Sequence, residues 1–230
     1  MDQVDQSDLP FRILVARHGA TMVYTQMILA DRFLSDEEYR EWHLKDVMTG
    51  WNLKALEPSL GKVPMIVQLG GNDQEKLLGT AKRLEAWCDG IDLNMGCPQT
   101  HALQNGYGAS LLFRRNRTKV EAIMGSLSSQ LGLPVSVKLR LNDTAELCQL
   151  GQTLEDAGAS WITLHPRFIS SRRRRKGPPF LGFVKELKAA VKIPVISNGG
   201  VRSFEDLKAN LIETGADGLM VGEPLLTNPL

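Results

Sequence analysis

The residue best placed for chemistry is Cys97, in the stretch "GIDLNMGCPQT" from Gly90 to Thr100. A strand-like run, Gly90 to Met95, ends at Gly96, and Pro98 follows the cysteine directly. Glycine permits a sharp turn, and proline fixes its own φ while restricting the residue before it. The thiol is therefore held at a defined point where a strand stops. A free cysteine has a pKa of about 8.5, so near neutrality it is mostly the protonated acid and suits proton donation. Nucleophilic use would need an activating base, and no Cys–His spacing marks one. The plainer alternative is a small core residue at a strand end. Cys88 and Cys148 lie in helical patterns, where core packing is the expectation.

Other polar residues stand at similar points. "SNGG" (Ser197 to Gly200) precedes a helix start at Ser203. Its glycines allow close approach, and a helix N-terminus favours an anion, so Asn198, Gly199 and Gly200 form a candidate phosphate cradle. "VGEP", with Gly222 and Glu223, could complete it. Lys138 sits inside an apolar run, where a lysine is normally paired; it could face an anionic ligand or reach solvent from the strand end. His165 could touch a ligand or make an ordinary backbone bond. Two basic loops, "FRRNRTK" (Phe113 to Lys119) and "SSRRRRKG" (Ser170 to Gly177), could grip a phosphodiester backbone or be solvated surface.

The elements that must carry these residues are short apolar runs: Met22 to Ile28, Met65 to Gly70, Ile91 to Gly96, Val135 to Arg140, Trp161 to Arg167, Val195 to Gly200 and Gly218 to Glu223. They read as strands covered on both faces. Helical patterns separate most of them, as in "DQEKLLGTAKRLEAW", "TAELCQLGQTLEDAG" and "SFEDLKANLIETG", the last with Ser203 as N-cap and Gly215 as stop. Alternating strands and helices imply a parallel sheet. Gln68, Asn94, Cys97, Lys138, Arg140, His165 and Asn198 all fall at C-terminal strand ends, the edge that carries the site in such folds. The expectation is a (β/α)8 barrel, with an open doubly wound sheet second. Seven strands are read rather than eight. A helix, Ser7 to His18, opens the chain, so the barrel is expected to lack its first strand and last helix.

The totals agree with one domain over residues 1–230. The net charge is +1, so a nucleic-acid partner would be held by local patches. Three cysteines are too few and too scattered for a disulfide framework or a zinc site, so no metal is expected and a reducing compartment, cytoplasmic or nuclear, is preferred. No apolar run reaches membrane-spanning length, and the acidic start "MDQVDQSDLP" is no secretory signal.

In order along the chain, "DQSDLPFR", "YTQMILAD", "VQLGGND", "IDLNMGCPQ", "NGYGASLL", "VKLR", "ITLHPR", "PVISNGG" and "GLMVGEPLLTNP" resemble the tRNA-dihydrouridine synthase family, most closely its eukaryotic D-loop-acting branches. The resemblance implies a flavin barrel followed by a helical RNA-binding domain, with tRNA as partner. FMN would deliver hydride to C6 of a uridine, NADPH would reload the flavin, and Cys97 would protonate C5. Asn94 would meet the uracil edge and Arg140 the RNA. Gln68 and Lys138 would hold the flavin ring, with His165 nearby. Asn198, Gly199, Gly200, Gly222 and Glu223 would meet the phosphate. The positions 16/17 are the favoured target. The chain departs from the family in lacking the "APM"-type first strand and the helical domain. It reads "HPRF" where "HGRT" is usual, and Glu223 where many members carry arginine. Two alternatives stand beside this reading: a catalytically incomplete product serving as an RNA- or protein-interaction module, and a flavin barrel reducing a free pyrimidine.

Overall fold

Parallel strands form the centre of the protein because the apolar runs from Met65 to Phe168 are buried on both faces. The computed structural model describes residues 7–56, 63–170 and 177–228. Strands β1 (Val23–Tyr24), β2 (Ile28–Leu29), β3 (Met65–Gly70), β4 (Gly90–Met95), β5 (Val135–Leu141), β6 (Ile162–Phe168), β7 (Val195–Asn198) and β8 (Gly218–Met220) make one sheet. Its order is β1-β3-β4-β5-β6-β7-β8, with β2 also on β3, and every pairing is parallel.

The run expected as one strand from Met22 to Ile28 is two. β1 pairs Tyr24 with Ile66, and β2 pairs Ile28 with Leu69, so the outer strand carries one residue more than its neighbour. An extra residue must bulge. The Thr25 side chain repairs the ladder there, its Oγ1 accepting from the Gln68 backbone N–H at 3.1 Å.

The sheet curls. Tyr24 in β1 and Trp161 just before β6 are four strand positions apart, which in a flat sheet is about 19 Å. Yet Trp161 Nε1 donates to the Tyr24 hydroxyl at 3.0 Å. The curl is that of a β/α barrel, but it does not close: among the described residues β1 and β8 are the two unpaired ends of the strand path. A cleft of about 560 Å³ lies between them, lined among others by Val15, Tyr24, Gln68, Lys138, Asn198 and Leu219. The three residues of β8 are only half-buried, whereas β3 and β4 are buried throughout.

Helices α1 (Leu9–Arg17), α2 (Ala30–Ser35), α3 (Glu37–Leu56), α4 (Gln74–Leu84), α5 (Thr100–Gln104), α6 (Arg117–Gln130), α7 (Leu147–Asp156), α8 (Gly182–Ala190) and α9 (Phe204–Thr214) accompany the strands. Apolar side chains of α1 to α8 pack with Leu69, Ile91, Leu93, Val137 and Leu164 in one core, whereas Phe204 and Ile212 of α9 are exposed. The N-terminal helix starts where Asp8 accepts from the Phe11 N–H, with Pro10 in the first turn. It is tied to α3 by a buried ion pair, Arg12 to Asp46 at 2.8 Å. Ser7 donates its hydroxyl to the Tyr24 carbonyl at 2.5 Å, so a side chain covers part of the unpaired β1 edge. Helix α9 has a capping box between Ser203 and Asp206 and ends on Gly215 at φ +65°, as its sequence predicts. Cys88 is buried as expected, but Cys148 is not a core residue: on α7 it is half-buried beside the Glu186 carbonyl of α8.

Candidate active site

Side chains alternate across each strand, so residues two apart share the face that looks into the barrel. On β4 these are Gly90, Asp92 and Asn94; on β5, Ser136, Lys138 and Arg140; on β6, Thr163 and His165. The register places them side by side: Gln68 opposite Asp92, Asp92 opposite Ser136, Asn94 opposite Lys138, and Arg140 opposite His165. The inner face is therefore polar while Ile91, Leu93, Val137 and Leu139 face the helices. This alternation of residue kind is present in "GIDLNM" and "VSVKLR", although burial on both faces hides it from an apolar count.

The polar side chains are linked. Ser136 Oγ donates to Asp92 Oδ1 at 2.6 Å, and Gln68 Nε2 donates to Asp92 Oδ2 at 2.8 Å. Asn94 Nδ2 donates to Gln68 Oε1 at 2.8 Å. Asn94 Oδ1 then accepts from the backbone N–H groups of Gly96 and Cys97, each at 3.0 Å. Asp92 is 0 % exposed. Burial pushes its carboxyl up to about 6, against the opposing pull of the Ser136 and Gln68 hydrogen bonds and the Lys138 charge.

Cys97 leaves the strand end and is itself covered, 2 % exposed, among Met27, Ala102 and Tyr107. Its carbonyl accepts from the Ala109 N–H at 2.9 Å. The close approach requires Gly108, which sits at φ +58°; a Cβ there would stand 2.8 Å from Cys97 Cβ. The "GYGA" glycine and the cysteine are thus one packing unit.

His165 faces the same mouth. Burial, then the neighbouring cations Lys138, Arg140 and Arg167, hold its imidazole far below the ordinary range, so it is neutral. Arg167 Nη1 lies 2.9 Å from His165 Nε2. A guanidinium only donates, so Nε2 accepts and the ring proton is on Nδ1. That Nδ1 is buried without a protein partner among the described residues, as is Asn198 Oδ1. Arg167 reaches this position because β6 carries two residues more than β5 between His165 and Phe168, at Pro166 and Arg167. Arg167 was not among the expected site residues, and the bulge that turns it inward had no signal beyond the proline.

Gly199 and Gly200 adopt φ +112° and +79°. A Cβ on Gly199 would stand 3.1 Å from the His165 ring, and one on Gly200 would stand 2.8 Å from Pro179. Asn198 Nδ2 donates to the Met220 carbonyl at 2.6 Å, and Asn210 Nδ2 on α9 to the Gly199 carbonyl at 3.2 Å, so both ends of the turn are held. Gly222 precedes the 3-10 turn Glu223–Leu226. The Glu223 carboxylate acts electrostatically on Arg167.

Of the basic loops, residues 171–176 lie outside the described residues. In the other, Arg114 and Arg117 pair with Glu146 at 3.3 and 3.1 Å, and Arg115 lies over the Phe113 ring. Part of that charge is therefore internally neutralised. Among the described residues no cluster of His, Cys, Asp and Glu could hold a metal ion, and no helix is long and apolar enough to cross a membrane.

A curled, all-parallel sheet flanked by helices, with its polar side chains on the inner face, belongs to the β/α-barrel class of folds. Residues 3–230 match the dihydrouridine synthase (Dus) family, and the chain belongs to it. It is 34 % identical over 233 residues to a human protein described as "tRNA-dihydrouridine(20a/20b) synthase [NAD(P)+]-like", covering 98 % of this chain and 67 % of that one. It is also 34 % identical over 228 residues to a rat protein described as "tRNA-dihydrouridine(16/17) synthase [NAD(P)(+)]-like", covering 98 % and 49 %. The chain thus spans half to two thirds of the length of these relatives. A 2-naphthoyl-CoA reductase structure shares the fold at a TM-score of 0.74 and 12 % identity, over 97 % of this chain and 45 % of that one.

Proposed function

We propose that this chain binds FMN at the barrel mouth and reduces the 5,6 double bond of a D-loop uridine in tRNA, with NADPH as reductant and Cys97 as proton donor. The observation that carries this reading is the placement of Asn94, Lys138 and His165 on one inner face beside the glycine turn, with the Cys97 backbone N–H bonded to Asn94, in a chain of this family. The mouth fits a flavin on its own terms. Buried His165 Nδ1–H and Asn198 Oδ1 offer an unused donor and acceptor. Gly199 and Gly200, at φ +112° and +79° and packed on His165 and Pro179, carry no side chain to screen their backbone N–H groups from a phosphate. Bound FMN, reduced by NADPH, would supply hydride to C6 of the uracil.

The remaining work belongs to the protein. Lys138 and Gln68 would hold the ring, and His165 would donate from Nδ1. The N–H groups around Gly199, Gly200, Gly222 and Glu223 would meet the phosphate, with Arg167 supplying the positive charge that Glu223 lacks. Asn94 would orient the uracil edge, and Arg140 at the rim would contact RNA. Cys97 would give its thiol proton to C5, which requires the Gly96–Gly108 segment to yield so that the covered thiol meets the base. The uridine must leave its stack to enter the mouth. The relatives carry 16/17 and 20a/20b in their names at equal identity, and the 16/17 pair is the first target to assay.

The test is titration of the chain with FMN, then incubation with NADPH and tRNA lacking dihydrouridine, read as a mass gain of two hydrogens on a uridine. Cys97→Ala should keep flavin binding and reduce turnover by two orders of magnitude or more, the usual weight of a general acid, about 10²–10⁴-fold. Undiminished turnover would remove Cys97 from the mechanism. The unclosed β1–β8 edge favours a second reading, a non-catalytic interaction module. Failure of the folded chain to bind FMN would select it.

A further inference from the structure

His165 is a neutral ring with two nitrogens, and the one that carries the proton decides what the ring offers a ligand. A neutral imidazole has one donor and one acceptor, and the bond made by one nitrogen fixes the character of the other. Among the described residues, the ring has one side-chain hydrogen-bond partner, Arg167, whose Nη1 lies 2.9 Å from Nε2. Nδ1 has no protein partner among them. Lys138 and Arg140 act on the ring through their charge, which helps to keep it neutral. A guanidinium only donates and stays charged throughout the working range, so it meets Nε2 only while that nitrogen is bare. In water the neutral ring of histidine mostly carries its proton on Nε2. The arrangement here is therefore the reverse of the one the residue adopts when free.

Arg167 is itself held in place. Its Nε donates to the Gly177 carbonyl at 3.3 Å, and the Glu223 carboxylate acts on it electrostatically. Arg167 Nη1 and the His165 ring lie 3.5 and 3.1 Å from the place a Gly199 Cβ would take, so the glycine turn closes over the pair. We propose that Arg167 is a positioning residue that holds His165 in the Nδ1–H tautomer and so makes the buried ring nitrogen a permanent donor. The ligand atom that meets Nδ1 must then be an acceptor, a carbonyl oxygen or a bare ring nitrogen. A ligand that presents an N–H there is refused, because two buried donors would face each other unpaired. That the ligand is the flavin ring rests on the proposed function; the tautomer does not.

The test reads the ring nitrogens directly. The 230-residue chain, without cofactor, is labelled with ¹⁵N and examined by NMR at pH 7.5. Protonated and bare ring nitrogens differ widely in shift, and couplings to the carbon-bound ring protons tell Nδ1 from Nε2. The chain has four histidines, so the His165 signals are those lost in His165→Gln. The parent should show a protonated Nδ1 and a bare Nε2. Arg167→Met keeps an unbranched stem and removes the donor, and the ring should then carry its proton mainly on Nε2. Glu223→Gln alters the charge beside Arg167 but spares its N–H groups, and should leave the proton on Nδ1.

A parent with its proton on Nε2, or with both nitrogens protonated, overturns the proposal. So does an Arg167→Met chain that keeps the proton wholly on Nδ1. Loss of Nδ1–H in Glu223→Gln overturns it as well, because charge and not the bond would then set the tautomer. If Arg167→Met does not fold, the parent decides: a ¹⁵N–¹⁵N coupling across the bond from Arg167 Nη1 to His165 Nε2 supports the proposal, and its absence overturns it. None of these readings needs a flavin. A chain with Nδ1–H that binds no FMN strikes the proposed function alone, and one that reduces uridine with its proton on Nε2 strikes the tautomer alone.

Discussion

Cys97 shows how much of a residue's role comes from its neighbours. Its position was legible because glycine and proline frame it in the chain. Its burial was not, because the covering side chains Met27 and Tyr107 come from elsewhere in the sequence. Gly108 leaves no room for a side chain beside Cys97 and gives the sharpest residue-scale prediction. Gly108→Ala adds a Cβ at φ +58°, against the Cys97 Cβ and carbonyl. Left-handed strain and overlap together should destabilise the fold by roughly 1–3 kcal/mol. Urea denaturation of parent and variant measures this, and an unchanged midpoint would mean that the loop is free to move aside. Asp92 is the opposite case. It lies within the quoted motif, but its hydrogen bonds come from Gln68 and Ser136 of neighbouring strands, and pairing is not visible along one chain.

At the scale of elements, the strands were readable and their interruptions were not. Seven apolar runs correspond to the seven positions of the sheet. The bulge at Thr25 and the extra residues at Pro166 and Arg167 were missed, because a register is a property of two strands. Helix α3 carries a different lesson. His43 is buried on it, with its ring edge-on to Tyr39 and Trp42. Burial and the Arg32 charge pull its imidazole down to about 4 from the ordinary 6.5. The unfolded chain accepts the proton near 6.5 and the folded chain resists it until about 4. The stabilising contribution is thus complete above 6.5 and is lost as the pH falls through that window. Thermal unfolding between pH 7 and pH 4 should show the parent losing stability more steeply than His43→Leu. Parallel curves would show that His43 does not set the acid limit.

At the scale of the whole molecule, the expected barrel is present as a curl that stops short. The Tyr24–Trp161 hydrogen bond draws the sheet round, and β1 and β8 remain unpaired among the described residues. Unpaired strand edges open most easily. Amide exchange should therefore be fastest in β8, intermediate in β1, where Ser7 and α1 give cover, and slowest in β4 and β5. Equal protection in β8 and β5 would mean that the edge is covered in solution.

The cleft between β1 and β8 also governs how the molecule responds to a ligand. A closed barrel is a hoop, and its diameter is set before anything binds. Here the hoop is cut. Lys138 stands on β5, the middle strand of the path, while the Asn198–Gly200 turn follows β7, one strand in from the β8 end. A ligand that reaches from the lysine to the glycine turn acts as a clasp, fixing the spacing of two parts that the backbone leaves adjustable. Its binding should be felt at the distant edges as much as at the mouth.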